Sequence, residues 1–141
     1  MIRAAAGGLV LLALLQVTLA VTRAAADPLL GERVFQRCYA CHSVLAGEEN
    51  LPGPSLRCVL GRQAGTLPGF AYSPAMIEAG RHGLVWTRVT LDAFDVDPQR
   101  LVPGSAMWIA ALAAVEERRD LLDYLEQTGS CPVTPAPAAK P

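Results

Sequence analysis

The chain has 141 residues, 52% of them hydrophobic, with 12 basic against 13 acidic side chains and four cysteines. That length bounds it to one domain with a modest core. A net charge of −1 with no block of lysine or arginine excludes a basic nucleic-acid surface.

The first stretch, MIRAAAGGLVLLALLQVTLAVTRAAADP, sets Arg3 ahead of an apolar run from Gly7 to Val21, then small residues ending in Ala24, Ala25 and Ala26. This is the layout of a secretory signal peptide over residues 1–26, with cleavage before Asp27. A membrane anchor is the bland alternative, but the apolar run falls short of the ~20 residues a spanning helix needs. Removal would leave 115 residues with 10 basic and 13 acidic side chains, a net of −3. The segment PLLGERVF places Leu30, Val34 and Phe35 on one helical face. Gly31 inside it costs ~1 kcal/mol relative to alanine, which predicts a close crossing by another helix. Between Gly47 and Ser73 the breakers LPGPSL, GRQAG and TLPGFAYS predict a long functional loop. SPAMIEAG predicts a short helix with Ser73 as N-cap, Pro74 at its first position and Gly80 as its stop. TLDAFDVDP predicts another, capped by Thr90 and ending before Pro98. AAVEERRDLLDYLEQTG places Val115, Leu121, Leu122 and Leu125 on one stripe, closed by Gly129. No segment alternates as a strand does, so the expected fold is all-α. The domain is expected over 27–131, with a flexible Pro/Ala-rich tail over 132–141.

Residues 38–42 read CYACH. A thiol-disulfide switch would need a βαβ setting, and none flanks the motif. A zinc site would need four ligands, and Cys58, Cys131 and His82 lack the paired spacing of zinc modules. Cys-x-x-Cys-His is also the attachment signature of c-type haem, and an exported chain suits it. Cys38 and Cys41 would form thioethers to the two vinyl groups, while the same turn holds His42 against the iron. His82 reads as a loop histidine with no haem role.

From GERVF through CYACH, GPSL, GRQAGTLPGFAYSPAM, VWT, VPGSAM and ERRDLLDYL, the chain resembles the class I cytochromes c, the mitochondrial type and its bacterial relatives. The resemblance spans Gly31 to Leu125 and implies the cytochrome c fold, helices and long loops wrapped around one covalently attached haem. It implies His42 and Met107 as the axial ligands, the latter presented by the Pro-Gly turn of VPGSAM; Met76 is the next candidate. It further implies the Pro54 carbonyl as acceptor for the His42 imidazole, and Arg62, Tyr72, Trp86 and Ser105 as donors to the haem propionates. Gly31 and Phe35 match one half of the family's helix crossing, Leu121 and Tyr124 the other. With Cys38 and Cys41 consumed by haem, Cys58 and Cys131 remain as an even pair in an oxidising compartment. By resemblance they lie after the GPSL turn and just past the last helix, and a disulfide between them is expected; two free thiols or a link between chains through Cys131 are the alternatives.

The chain departs from its relatives at two places. A tyrosine and an asparagine that hold a polar network around the methionine sulfur are matched by Phe94 and Met76, and Asp95 stands where a leucine is usual, as if this helix were rotated or the register slipped by one. The relatives also ring the haem edge with lysines, whereas the only lysine here is Lys140. Steering by long-range charge is therefore expected to be weak. The functional expectation is a soluble periplasmic monohaem carrier, a monomer that docks transiently with membrane or periplasmic redox complexes, with no substrate pocket and no enzymatic activity. The alternatives are a haem-bearing subunit fixed in a periplasmic dehydrogenase complex, and an open-site haem peroxidase or gas-binding protein.

Overall fold

The computed structural model describes residues 28–48 and 50–128. The expected signal peptide, Gly129, Cys131 and the tail lie outside the described residues. Among the described residues five helices follow one another: α1 (Pro28–Phe35), α2 (Pro74–Arg81), α3 (Arg88–Val96), α4 (Pro98–Leu101) and α5 (Val115–Thr128). Among the described residues there is no strand, only an isolated antiparallel bridge between Gln63 and Val85. None of these helices is long and apolar enough to cross a membrane.

The principal packing is α1 on α5, with α3 against α4 and α5. Gly31 makes the crossing possible: a Cβ there would collide with the Asp120 carbonyl oxygen and the Tyr124 Cβ. Phe35 is fully buried behind it, its ring 5.4 Å from Tyr124 and edge-on to Tyr39 at 4.7 Å. Leu121, Leu122 and Leu125 complete the buried face of α5, joined by Val34 from α1 and by Leu91 and Phe94 from α3. Gly31→Val would have to separate two backbones rather than shift a flexible tip. The expected cost is about 3 kcal/mol of stability, the upper end for overpacking, read by denaturant unfolding of the holoprotein.

Several boundaries differ from the expectations. The α2 helix has Ser73 as its N-cap, accepting from the Met76 N–H, but it runs through Gly80 to Arg81. Gly80 is buried inside the helix because the Ala64 carbonyl presses on it and leaves no room for a Cβ, so it marks a close approach and not a stop. The N-cap of α3 is Thr87, not Thr90. Thr90 is the third helical residue and closes a capping box, its Oγ1 accepting the Thr87 N–H at 2.7 Å. Asp97 ends α3 and caps α4, accepting from the N–H groups of Gln99 and Arg100, both at 3.1 Å. Thus Pro98 opens a further short helix where only an end was expected. Val115 does not belong to the α5 stripe; at the first position of the helix it is 62% exposed. Finally, α3 is not rotated: Leu91, Phe94 and Asp95 face inward and Val96 outward.

Candidate haem site

The site begins where α1 ends. Cys38 N–H bonds to the Phe35 carbonyl at 2.7 Å, and the N–H groups of Cys41 and His42 both return to the Cys38 carbonyl, at 3.0 and 2.9 Å. A single turn thus gathers two thiols and an imidazole. Cys41 is exposed and Cys38 half-buried, and both are free. Burial, followed by the nearby Asp95 carboxylate, pushes the Cys38 thiol up to about 11.

His42 is buried, and its Nδ1 lies 2.7 Å from the Pro54 carbonyl oxygen, the acceptor the resemblance implies. A carbonyl oxygen only accepts, so Nδ1 carries the proton and Nε2 keeps its lone pair. Burial lowers the imidazole pKa and the Pro54 bond opposes that, which favours the neutral ring a metal requires. The loop is held close by Gly53, whose N–H bonds to the Cys41 carbonyl at 2.8 Å and where a Cβ would run into the imidazole.

Arg62, Tyr72 and Trp86 converge on a second region. The Trp86 N–H bonds to the Arg62 carbonyl at 2.9 Å, beside the Gln63–Val85 bridge. Arg62 donates to the carbonyls of Ser55 at 2.8 Å and Arg57 at 3.3 Å, while its Nε is buried with no partner. Burial lowers the guanidinium pKa and raises that of Tyr72, which the nearby Arg62 partly offsets. An orphaned buried N–H of a cation is costly unless an anionic acceptor meets it.

Met107 is half-buried and packs on the core from the loop between α4 and α5. Its N–H bonds to the Ser105 hydroxyl at 3.2 Å. Gln99 straps this loop, donating to the carbonyls of Ser105 at 2.9 Å and Met107 at 3.3 Å and accepting from the Gly104 N–H at 3.1 Å. Further on, Arg118 is buried and its guanidinium grips the carbonyls of Leu112 at 2.6 Å and Ala113 at 2.9 Å and the Asp92 carboxylate at 2.7 Å. Met76 and Phe94 are core residues, the Phe94 ring 5.1 Å from that of Trp86. His82 is exposed and pairs with Glu78 at 2.9 Å, away from these groups. Cys58 carries a disulfide rather than a free thiol.

These residues fit a covalently attached haem: two thiols on one turn, an imidazole with Nε2 free, and an unpaired guanidinium N–H for an acidic substituent. When bound, such a group supplies a reversible one-electron iron couple. Gln99, Arg118 and Gly53 were not singled out from the sequence. The first two act on loop carbonyls, which leave no sequence pattern; Gly53, flanked by prolines in LPGP, was a breaker whose second role shows only in space.

No protein-family model matches the chain. It is 42% identical over 99 residues to the cytochrome c2 of Agrobacterium tumefaciens (strain II Chrys), covering 70% of this chain and 89% of that protein. Cytochrome c2 iso-2 of Rhodospirillum centenum is 40% identical over 114 residues, 72% of this chain and 94% of the relative. Among solved structures, cytochrome c2 from Rhodospirillum centenum superposes with a TM-score of 0.68 at 39% identity, over 73% of this chain and 98% of that one. Cytochrome cH from Methylobacterium extorquens gives 0.64 at 33% identity, over 72% and 98%. With relatives covered almost end to end at this identity, and with Cys38 and Cys41 spaced for attachment, the chain belongs to the class I cytochrome c family, among the bacterial cytochromes c2, and carries that family's single covalently bound haem c.

Proposed function

We propose that this cytochrome is a soluble periplasmic one-electron shuttle whose haem iron is held between His42 and Met107. As a family member it is a monohaem electron-transfer protein and a carrier, not an enzyme. The observation that carries the ligand reading is the His42 to Pro54 bond, which fixes the tautomer and leaves Nε2 for the iron. Met107, on a loop braced by Ser105 and Gln99, is the thioether for the opposite face. In this reading Arg62, Tyr72, Trp86 and Ser105 donate to the propionates, with the unpaired Arg62 Nε as the strongest support. The leader-like residues 1–26 support the compartment. An absorption spectrum of the ferric protein tests the ligands: a weak near-infrared sulfur-to-iron band is expected, and a spectrum without it sinks the Met107 assignment.

The apolar shell on the methionine side should set the potential. Phe94→Tyr and Met76→Asn, which put hydrogen-bonding groups in place of two apolar core side chains, are each expected to change the ferrous preference about tenfold, ~59 mV, with the ligands unchanged. Redox titration with the near-infrared band followed in parallel checks both parts. Unmoved potentials in both variants would show that these side chains do not face the haem.

One observation favours a second reading, a haem-bearing subunit docked within a dehydrogenase complex. No charged side chain occurs from Leu101 to Val115, and Trp108 on this stretch is 79% exposed, next to Met107. An apolar surface beside the proposed Met107 ligand suits a contact that salt barely weakens. Purification from its native source discriminates: the shuttle elutes alone, the subunit with a stoichiometric partner.

A further inference from the structure

We propose that Asp95 is a proton-binding site coupled to the haem electron, so that this carrier takes up a proton when reduced and releases it when oxidised. The inference rests on the electron-carrier reading above and concerns what else moves with the electron.

Asp95 lies on the inner face of α3, only 9% exposed. Its backbone carbonyl accepts the Leu112 N–H at 3.1 Å, but among the described residues no hydrogen bond reaches its carboxyl. Three ionisable groups face it. From its own helix comes Asp92, from α5 comes Arg118, and from the turn after α1 comes Cys38. Arg118 cannot neutralise it fully, because that guanidinium is committed to Asp92 and to the carbonyls of Leu112 and Ala113. Asp92 adds like charge. Cys38 becomes an uncharged thioether on attachment, so it offers no counter-charge either. Desolvation, then Asp92, push the Asp95 carboxyl up to about 7, with Arg118 pulling the other way. The carboxylate also raises the Cys38 thiol, so its field reaches the atom to which the haem is joined.

The coupling follows from charge. Ferric iron carries one more positive charge than ferrous iron, and an ionised carboxylate nearby is stabilised by it. One electron from a redox partner removes that stabilisation, and the Asp95 carboxylate then binds a proton from water: one O–H bond forms, no other bond breaks, and the net charge of the site is restored. The pKa is therefore higher in the reduced protein. Between the two pKa values the potential falls as pH rises; below and above them it is flat. The slope is bounded by about 59 mV per pH unit for one proton per electron, and a tenfold difference in proton affinity gives a total fall of about 59 mV.

The test is the midpoint potential of the holoprotein from about pH 5 to pH 9, spanning the ordinary carboxylate-to-histidine range and beyond, for wild type, Asp95→Asn and Asp95→Leu. The expected result is a wild-type potential that falls through neutral pH by at least about 59 mV and two variants that are flat there. A flat wild type overturns the proposal. So does a slope retained in the variants, which would place the proton on a group other than Asp95. If neither variant accumulates, reduced-minus-oxidised infrared spectra of wild type decide: a protonated carboxyl stretch that appears on reduction and shifts in heavy water is expected, and its absence overturns the assignment. The absorption spectrum of the same samples keeps the two ideas apart, because a missing sulfur-to-iron band rejects Met107 as ligand whatever the pH slope shows.

Discussion

Met107→Ala is expected to abolish the near-infrared band, open the ferrous iron to carbon monoxide and lower the midpoint potential. A thioether opposite an imidazole favours ferrous iron, so its loss favours ferric. A hundredfold loss of that preference corresponds to a drop of about 120 mV at 59 mV per tenfold. The loop itself should persist. Gln99 holds the carbonyls of Ser105 and Met107, and the Ser105 hydroxyl holds the Met107 N–H, none of which needs the side chain. The backbone of the loop should therefore keep its place, while the half-buried side chain also gives up some core packing, so a modest fall in unfolding midpoint accompanies the change at the iron. If the variant keeps the band and excludes carbon monoxide, Met107 is not the ligand and Met76 is next to be replaced.

Cys58→Ser is expected to lower stability by up to about 4 kcal/mol, the chain-entropy figure for closing a long loop. Cys58 is disulfide-bonded and Cys38 and Cys41 are free thiols, which leaves Cys131, outside the described residues, as the proposed partner. Such a bond spans 72 intervening residues. A haem already tethering the chain near its other end reduces the denatured-state entropy that the bond can remove, so the measured loss should fall below that ceiling. Cys131→Ser should lose the same amount, and the double variant no more than either. Mass spectrometry of a non-reduced digest should find the linked peptides. Both thiols alkylatable after unfolding without reductant would end the proposal.

What was legible in the sequence was whatever a local pattern encodes. The α5 stripe of Leu121, Leu122 and Leu125, the Ser73-Pro74 start of α2 and the cost of Gly31 inside α1 each follow from residue spacing. The Cys38, Cys41 and His42 cluster was legible because one turn suffices to build it. Patterns with two equivalent solutions were not. Thr87 and Thr90 can each cap a helix, and only the reciprocal box in space selects Thr87. Pro98 both ends one helix and begins another, so α4 was hidden behind the stop that precedes it. Val115 fits the periodicity but lies in the first turn of α5, where nothing packs over it. At Asp95 the sequence suggested a rotated helix or a register slipped by one, and a buried acid was not foreseen; Phe94 inside and Val96 outside leave Asp95 on the inner face.

The contact of Gly31 with Asp120 joins positions 89 residues apart, and it sets an order of assembly. A chain produced from its N-terminus presents Cys38, Cys41 and His42 long before α5 exists. Until then α1 has nothing to cross, and eight residues are too few to hold a helix alone. The attachment cysteines therefore follow a segment that cannot hold its helix until α5 packs against it. Once α5 arrives and closes on Gly31, Phe35 is sealed and the same thiols sit on a fixed turn. The long-range crossing thus ties the two ends of the described fold together, so that α1 takes its place only when α5 does.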